Sequence, residues 1–454
     1  MDINLFYLLS LLFFISVVMI LFKRPVYEAM VLGLILITIE TWRWDLLLPS
    51  IYKTATSPLF YIIIAFLTLS DFFSAARIVD KIIAFLLALV GRFTGGAGYV
   101  SLFGSTFMAS LSGSGPGNVA ATGVITIPAM IKTGFPAKLA ATTEMASSSL
   151  GPVIFPSATI FLALDELAKF DPVRYSGVES KCLLAIWSLG IWFILQRFIT
   201  ILALCKIYKV KPVPKIQRPK IIEAFLNGWK TILLPFIIIL PLVSGIILKN
   251  VLTERIGIHG YKALSTTLLF FCPVLAFFYA IMISRKEIGG ITLKNVSRSL
   301  NGSLKKVVPV SATIFFAYTI GEFFRSLEMG FSISSWINSF QMSKTIIIFF
   351  IPLFTCFLGM LLPGTAQIKI LGGILFTILS GYGYNSLFIA VLLPAITGAL
   401  EGMTPPLALT MYVAMGISGS KFWETSKSAF LWILLHLFVV FLLLFGLLPV
   451  FGLY

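Results

Sequence analysis

The chain is dominated by apolar runs that are long enough to cross a lipid bilayer as helices. One crossing takes about 20 apolar residues, and the runs at 5–22, 232–248, 268–283 and 431–450 come close to this length. Only 11% of the residues are charged, whereas a soluble protein carries roughly 25%. A membrane β-barrel is excluded, because its strands alternate apolar and polar residues over about ten positions. The sequence therefore predicts an all-α polytopic membrane protein.

The basic residues lie in the connections between these runs. The stretch 206–220 holds several Lys and Arg and no acid, which is typical of a cytoplasmic loop under the positive-inside rule. The pair Lys23–Arg24 follows the first apolar run and Asp2 precedes it. We therefore expect a retained first span with its N-terminus outside, rather than a cleaved signal peptide. The charge pattern indicates a lipid bilayer, and no nucleic acid, as the partner of this chain.

Gly, Pro, Ser and Thr interrupt the apolar segments at two matching places in each half of the chain. The interruptions lie at 112–118 and 147–156 in the first half, and at 361–367 and 397–406 in the second. The spacing within each half is similar, which indicates a weak internal repeat. The apolar runs beside the first interruption of each half are too short for comfortable spans. We therefore expect two hairpins that enter and leave the membrane on one side.

A helix break at lipid depth frees backbone groups that cost several kcal/mol each when nothing satisfies them. Such breaks are tolerated where they line a cavity. Broken helices at matching places in two halves indicate the midplane binding site of a secondary transporter, because freed carbonyls coordinate Na⁺ and helix N-termini face an anionic substrate. The alternative is that each break is a kink satisfied by a nearby Ser or Thr. The paired spacing of four breaks favours the binding site.

Na⁺ is a hard ion that takes oxygen ligands, and hydroxyls, amides and freed carbonyls supply them without charge. The alternative for each Ser and Thr is a hydrogen bond to its own helix. The residues that we expect to bind a cation are Ser112, Ser114, Asn118, Ser149, Gly151, Gly364, Thr365, Gly398 and Thr404. The residues that we expect to break the helices are Pro116, Gly117, Pro152, Pro156, Pro363, Pro405 and Pro406.

Charged residues within apolar segments are expensive and functional by default. Glu144 and Glu401 are candidates for proton coupling, and Gln367 is a candidate for contact with the substrate. The alternative for Glu144 is a position at the hydrated start of its helix. For Lys369, snorkelling to the membrane interface is favoured over pairing with an anionic substrate.

A few further polar residues favour a structural interpretation. Glu322, Arg325 and Glu328 share one helical side, which favours a salt-bridged end of a span. His259 and His436 lie far apart, and no HExxH, GxSxG or Walker pattern accompanies them. We therefore expect no catalytic residue, no metal beyond the coupling cation, and no cofactor other than Na⁺ or H⁺.

Several motifs together resemble the large membrane subunit of tripartite ATP-independent periplasmic (TRAP) transporters, from about residue 57 to the C-terminus. The motifs are 112–114, Asn118, 122–123, 127–130, 134–135, 146–148 and 151–152 in the first half, and 359–360, 362–363, 404–409 and 416–419 in the second. The pair Leu362–Pro363 is similar to the branch served by TAXI-type binding proteins, since the dicarboxylate and sialate branch usually has Asp where Pro363 stands. The Gly115–Gly117 stretch departs from the Ala/Val-rich continuation of the family.

The resemblance implies an elevator-type fold of the ion transporter superfamily, an inverted-topology repeat with two re-entrant hairpins and two broken helices. It divides the chain into N-terminal scaffold spans (1–56), a first repeat (57–205), basic linkers with central scaffold spans (206–306) and a second repeat (307–454). It implies a bacterial inner-membrane permease that imports an organic anion, a carboxylate, with Na⁺ or H⁺. The implied partners are a separate small four-span membrane subunit and an extracytoplasmic solute-binding protein.

Three other functions remain open on the residues alone. An autonomous cation-coupled carrier would need no binding protein. An intramembrane lipid-processing enzyme would need a catalytic cluster, and Glu144 and Glu401 have no partner base or metal set in the sequence. A channel would show single-channel conductance instead of coupled uptake.

Overall fold

The protein is almost entirely helical. The computed structural model describes residues 3–112, 115–175, 182–215, 219–405 and 408–453, and these form 22 α-helices and no strand. Seven helical segments in the described part are long and apolar enough to cross a membrane. The predicted all-α polytopic class is confirmed.

The N-terminal part and the first half supply eleven helices. They are α1 (Ile3–Ile20), α2 (Val26–Thr41), α3 (Trp44–Ala55), α4 (Pro58–Ala75), α5 (Ile78–Val90), α6 (Gly96–Ser112), α7 (Gly115–Lys132), α8 (Ala137–Ser148), α9 (Ala158–Phe170), α10 (Pro172–Tyr175) and α11 (Leu183–Ile207). Ser157 caps α9, because its hydroxyl accepts a hydrogen bond from the backbone N–H of Ile160 at 3.2 Å.

The centre and the second half supply the remaining helices of the described residues. They are α12 (Ile221–Ile232), α13 (Leu234–Ile247), α14 (Lys249–Ile283), α15 (Leu293–Ser326), α16 (Met329–Ser339), α17 (Lys344–Leu358), α18 (Gly364–Gly381), α19 (Ser386–Ile396), α20 (Gly398–Glu401), α21 (Leu409–Ser418) and α22 (Phe422–Leu444). The predicted domain limits at 205 and 306 fall inside α11 and α15, so the domain division stays a prediction.

The helix order repeats between the halves. In each half, two helices joined by a short tip (α6 and α7, α17 and α18) precede a broken pair (α8 and α9, α19 and α21) and then a long apolar helix (α11, α22). The arms of the first pair pack on each other, whereas α18 packs on α9, α15 and α16 rather than on α17. Helix α18 is also long enough to cross a membrane. That the two pairs are re-entrant stays a prediction.

Two predicted helix breakers of the first tip lie inside a helix. Pro116 and Gly117 occupy the first turn of α7, which begins at Gly115. A proline is tolerated there because its missing N–H has no helical partner in the first turn. Pro116 and Gly117 therefore belong to the start of α7 and not to the segment before it, and that they break a helix stays a prediction. Pro363, in contrast, lies just before α18.

Candidate functional site

The second segment of each broken helix packs against the other half of the chain. Helix α9 of the first half packs on α18 and α19, and α21 of the second half packs on α7 and α8. The first break lies at 149–157, and the second begins at Thr397, contains the short helix α20 and continues to Pro405. Because each half packs its second segment on the other half, the two breaks lie close together in the interior of the protein.

One cavity of ≈ 380 Å³ is lined by both breaks, by the start of α7 and by the second tip. The predicted residues that line it are Pro116, Pro152, Pro363, Thr365, Gly398 and Glu401. The start of α2, with Val26 and Tyr27, and α15, with Val310 and Thr313, also line it. The cavity is therefore shared by the break region and by helices outside it.

Glycines allow the backbone of the second tip to pack directly against the backbone of the second break. A Cβ atom on Gly364 would lie 2.3 Å from the Cα and 2.4 Å from the N of Gly398. A Cβ on Gly398 would lie 2.8 Å from the Cβ of Pro152 in the first-half break. Real Cβ atoms do not approach other atoms this closely, so these contacts require glycine at both positions.

Two buried amides occupy equivalent positions in the two halves. Asn118 and Gln367 are each three residues after the first residue of α7 and α18. The Asn118 amide donates to the carbonyl of Ser105 at 2.8 Å, and the Gln367 amide donates to that of Leu362 at 3.0 Å. Their oxygens, Oδ1 and Oε1, are buried and have no hydrogen-bond partner among the described residues. Each half thus offers an unpartnered oxygen, an atom type that a hard cation prefers.

Thr410 is a third unpartnered oxygen, which the sequence reasoning missed. Its Oγ1 is buried without a hydrogen-bond partner in the described part of the chain. A Cβ atom added to Gly115 would lie 2.6 Å from this oxygen, and one added to Gly402 would lie 2.5 Å from it. The hydroxyl therefore lies between the start of α7 and the second break. A signal was present, because Thr159 and Thr410 are both the second residue of the helix after a break.

The other predicted cation ligands are distributed unevenly. The hydroxyls of Ser149 and Thr404 donate to carbonyls of their own helical segments, Ala146 at 2.8 Å and Leu400 at 2.6 Å, as Ser and Thr commonly do. Gly151 lies in the first break, between Ser149 and Pro152. Pro156 lies in the same break, and Pro405 lies between α20 and α21. The Ser112 side chain, Ser114 and Pro406 lie outside the described residues. That any of the predicted ligands binds a cation stays a prediction.

Glu401 joins the second break to the second tip. Its Oε2 accepts a hydrogen bond from the backbone N–H of Gly364 at 2.6 Å, and its side chain lines the cavity. The carboxylate therefore caps the N-terminus of α18, where a negative charge is favourable. Among the described lining residues it is the one acid.

Glu144 lies in the interior and not at a hydrated helix start. It is 0% exposed. Four hydroxyls donate to its carboxyl group: those of Thr122 and Thr126 at 2.5 Å each, and those of Ser105 and Ser148 at 3.1 Å each. The explanation by a hydrated position is therefore wrong. The sequence could not reveal this, because the hydroxyls come from three different helices.

Lys369 does not snorkel. It is 2% exposed, and its Nζ pairs with Asp165 and, at 2.8 Å, with Glu166 of α9. The ammonium also lies 3.7 Å from the ring centre of Tyr318 on α15. The preferred snorkelling explanation is wrong, because the ammonium has internal carboxylates to pair with.

Glu322 and Arg325 of α15 complete this ion-pair cluster. Glu322 pairs with Lys169 and Arg325 with Glu166, so both partners come from α9. The cluster contains Asp165, Glu166 and Glu322 against Lys169, Arg325 and Lys369, and its formal charge is zero. Asp165 and Glu166 are not among the residues predicted from the sequence, although two adjacent acids in an apolar helix are a signal of buried pairing.

A polytopic helical protein whose two halves bring helix breaks together at one cavity has the architecture of a secondary membrane transporter. The family model described as "Tripartite ATP-independent periplasmic transporter, DctM component" matches residues 12–451. The chain therefore belongs to this family of TRAP transporter large permeases, as the motifs indicated.

Relatives with known names support the same assignment. The C4-dicarboxylate TRAP transporter large permease protein DctM of Pseudomonas aeruginosa is 24% identical over 386 residues, which is 85% of this chain and 83% of that protein. The protein of the same name from Vibrio cholerae is 23% identical over 454 residues, 95% of this chain and 94% of that one. The solved structure of the Alcanivorax borkumensis YdaH transporter has the same fold, with a TM-score of 0.59 at 14% identity over 90% of this chain and 89% of that one.

Proposed function

We propose that this chain is the large permease subunit of a secondary active transporter that imports an organic anion, a carboxylate, together with Na⁺. The main support for the proposal is one cavity that is lined by breaks from both halves and by Thr410, whose hydroxyl has no hydrogen-bond partner among the described residues. The unpartnered oxygens of Asn118 and Gln367 lie on α7 and α18, the helices that follow the two tips. Neutral oxygens favour Na⁺ as the coupling ion, and the carboxyl groups of Glu144 and Glu401 are the candidates if H⁺ couples instead.

The proposal includes an elevator mechanism with two re-entrant hairpins. Residues of the breaks and of α2 and α15 line the cavity together, and in this proposal the break region slides along these helices and carries bound substrate across the membrane. The basic pair Lys23–Arg24 supports an N-terminus outside the bacterial inner membrane. The family supports a small four-span subunit and an extracytoplasmic binding protein as partners, and Leu362–Pro363 supports a TAXI-type one.

Reconstitution tests this function. The chain is placed in liposomes with its small subunit and binding protein, and uptake is measured for a panel of radiolabelled carboxylates that begins with C4-dicarboxylates. We expect uptake that requires all three components and an inward Na⁺ gradient. Uptake driven by a proton gradient alone would assign H⁺ as the coupling ion. Uptake by the chain alone would favour the autonomous carrier, and uptake without any gradient would contradict secondary transport.

Thr410→Val is expected to weaken the apparent Na⁺ affinity of uptake by about tenfold, because it removes one oxygen ligand and keeps the side-chain size, a loss of about 1.4 kcal/mol. Thr143→Val is the matched control. Its hydroxyl is also buried without a partner among the described residues, but it lies on α8 and does not line the cavity. Equal Na⁺ affinities for the two variants would show that the Thr410 hydroxyl does not bind the cation.

A further inference from the structure

Arg197 on α11 is a buried guanidinium whose five N–H groups all have acceptors. It is 1% exposed. The Nε donates to the carbonyl of Ala146 at 2.6 Å. The Nη1 donates to the carbonyl of Phe193 at 3.3 Å and to Oε1 of Gln196 at 2.9 Å. The Nη2 donates to Oγ of Ser149 at 3.0 Å and to Nδ1 of His436 at 3.1 Å.

None of these five acceptors is a carboxylate. Buried charges are normally paired, because an unpaired one costs several kcal/mol. Here the compensation comes from the carboxyl end of α8, where Ala146 and Ser149 present their oxygens. The end of a helix carries a partial negative charge that favours a cation. The charge of Arg197 is therefore balanced by a helix end that borders the first break.

The acceptor set is one that a sodium ion would use. It consists of two backbone carbonyls, a hydroxyl and a side-chain amide oxygen, all neutral, together with one imidazole nitrogen. In secondary transporters, the carboxyl ends of half-helices and freed carbonyls are the groups that coordinate Na⁺. The guanidinium thus lies at the kind of position where a mobile cation binds.

The second half has a neutral group at the equivalent place. His436 on α22 contacts the carbonyl of Ala395 in the last turn of α19 through its Nε2, at 2.9 Å. Because Nδ1 must accept from Arg197, Nε2 carries the hydrogen and the imidazole is neutral. The carboxyl end of α8 therefore has a permanent positive charge, and that of α19 has only a neutral donor.

We propose that Arg197 is an internal cation that permanently occupies the carboxyl end of α8 in place of a coupling Na⁺. This inference rests on the proposed Na⁺ coupling, and it makes Arg197 a positioning residue that sets the number of mobile cations. Ser149, which the sequence predicted as a cation ligand, then binds the guanidinium. The mobile Na⁺ sites are those at Asn118, Gln367 and Thr410.

Sodium binding by the full chain in detergent tests the inference. The melting temperature is titrated with NaCl against choline chloride at constant ionic strength. Arg197→Gln vacates the acceptor set, so we expect a Na⁺-specific stabilisation that is larger than in the wild type, with a Hill coefficient higher by about one. Arg197→Lys keeps the charge and should show no gain. In Arg197→Gln, a further Ser149→Ala should weaken the gained response at least tenfold.

Two results would overturn the inference. One is a folded Arg197→Gln variant with the Na⁺ response of the wild type. The other is a tenfold loss of Na⁺ affinity in the single variant Ser149→Ala, which would mean that Ser149 binds Na⁺. We expect the Na⁺ affinity of Ser149→Ala to stay within twofold of the wild type, and this mild change remains informative if Arg197→Gln does not fold. A wild type without any Na⁺ response would contradict the proposed Na⁺ coupling, whereas a gain in Arg197→Gln would still support this inference.

Discussion

Lys369→Met is expected to lower the free energy of unfolding by about 3–5 kcal/mol, the usual cost of removing one partner from a buried ion pair. Methionine keeps the volume of the side chain but removes the ammonium that Asp165 and Glu166 share. Asp165 still pairs with Lys169 and Glu166 with Arg325, so the cluster is left with one uncompensated negative charge. Both acids are buried, so water cannot replace the lost partner. Denaturant or thermal unfolding of the purified chain in detergent measures the effect. Lys286→Met, at an exposed position, is the control and should unfold like the wild type.

A second substitution separates charge from packing. Adding Asp165→Asn to Lys369→Met restores a formally neutral cluster, so the double variant should be more stable than the single one. A double variant that is equally unstable or worse would mean that lost packing, and not the uncompensated negative charge, causes the defect.

Gly364→Ala is expected to abolish uptake. The added Cβ would lie 2.3 Å from the Cα of Gly398, and because that atom is backbone, no side chain can rotate to make room. Overpacking of this kind costs about 1–3 kcal/mol or more, and relief requires the second tip to move away from the second break. Uptake is measured in liposomes with the partner proteins, at equal amounts of inserted protein.

The same helix provides the control for this substitution. Gly381 ends α18, and a Cβ there would have no atom within 4 Å. Gly381→Ala should therefore transport like the wild type. Normal uptake by Gly364→Ala would contradict the close approach of the second tip to the second break.

The sequence predicted the helical class and the sites of interruption because both are local properties. Pro152, Pro363 and Pro405 lie in non-helical segments, as expected for residues that remove a backbone donor. Asn118 and Gln367 each end the first interruption of their half, so the internal repeat placed them at equivalent positions, although it assigned a cation to Asn118 and the substrate to Gln367. Pro116 is the exception, since the first turn of a helix accepts proline.

The long-range polar contacts could not be predicted. Lys369 pairs with acids on α9 that lie about 200 residues earlier in the chain. The residues next to Lys369 in the sequence include no acid, so its local pattern favoured snorkelling to the membrane interface. Glu144 is surrounded by hydroxyls from other helices, and a neighbouring lysine suggested water instead. Arg197 and His436 meet only because α11 and α22 occupy equivalent positions in the two halves. Pairing of this kind depends on tertiary structure and not on a local pattern.

The central claim is that breaks from both halves form one binding cavity, and thiol protection tests it most directly. Pro116→Cys and Thr365→Cys place a thiol at the cavity from the first and the second half, in a chain whose four buried cysteines are replaced by alanine. Val124→Cys on the outer surface of α7, where the native side chain is 53% exposed, is the control. We expect saturating Na⁺ and substrate to slow modification by a membrane-impermeant thiosulfonate at both cavity positions and to leave the control unchanged. Protection at one cavity position alone, or at neither, would contradict it.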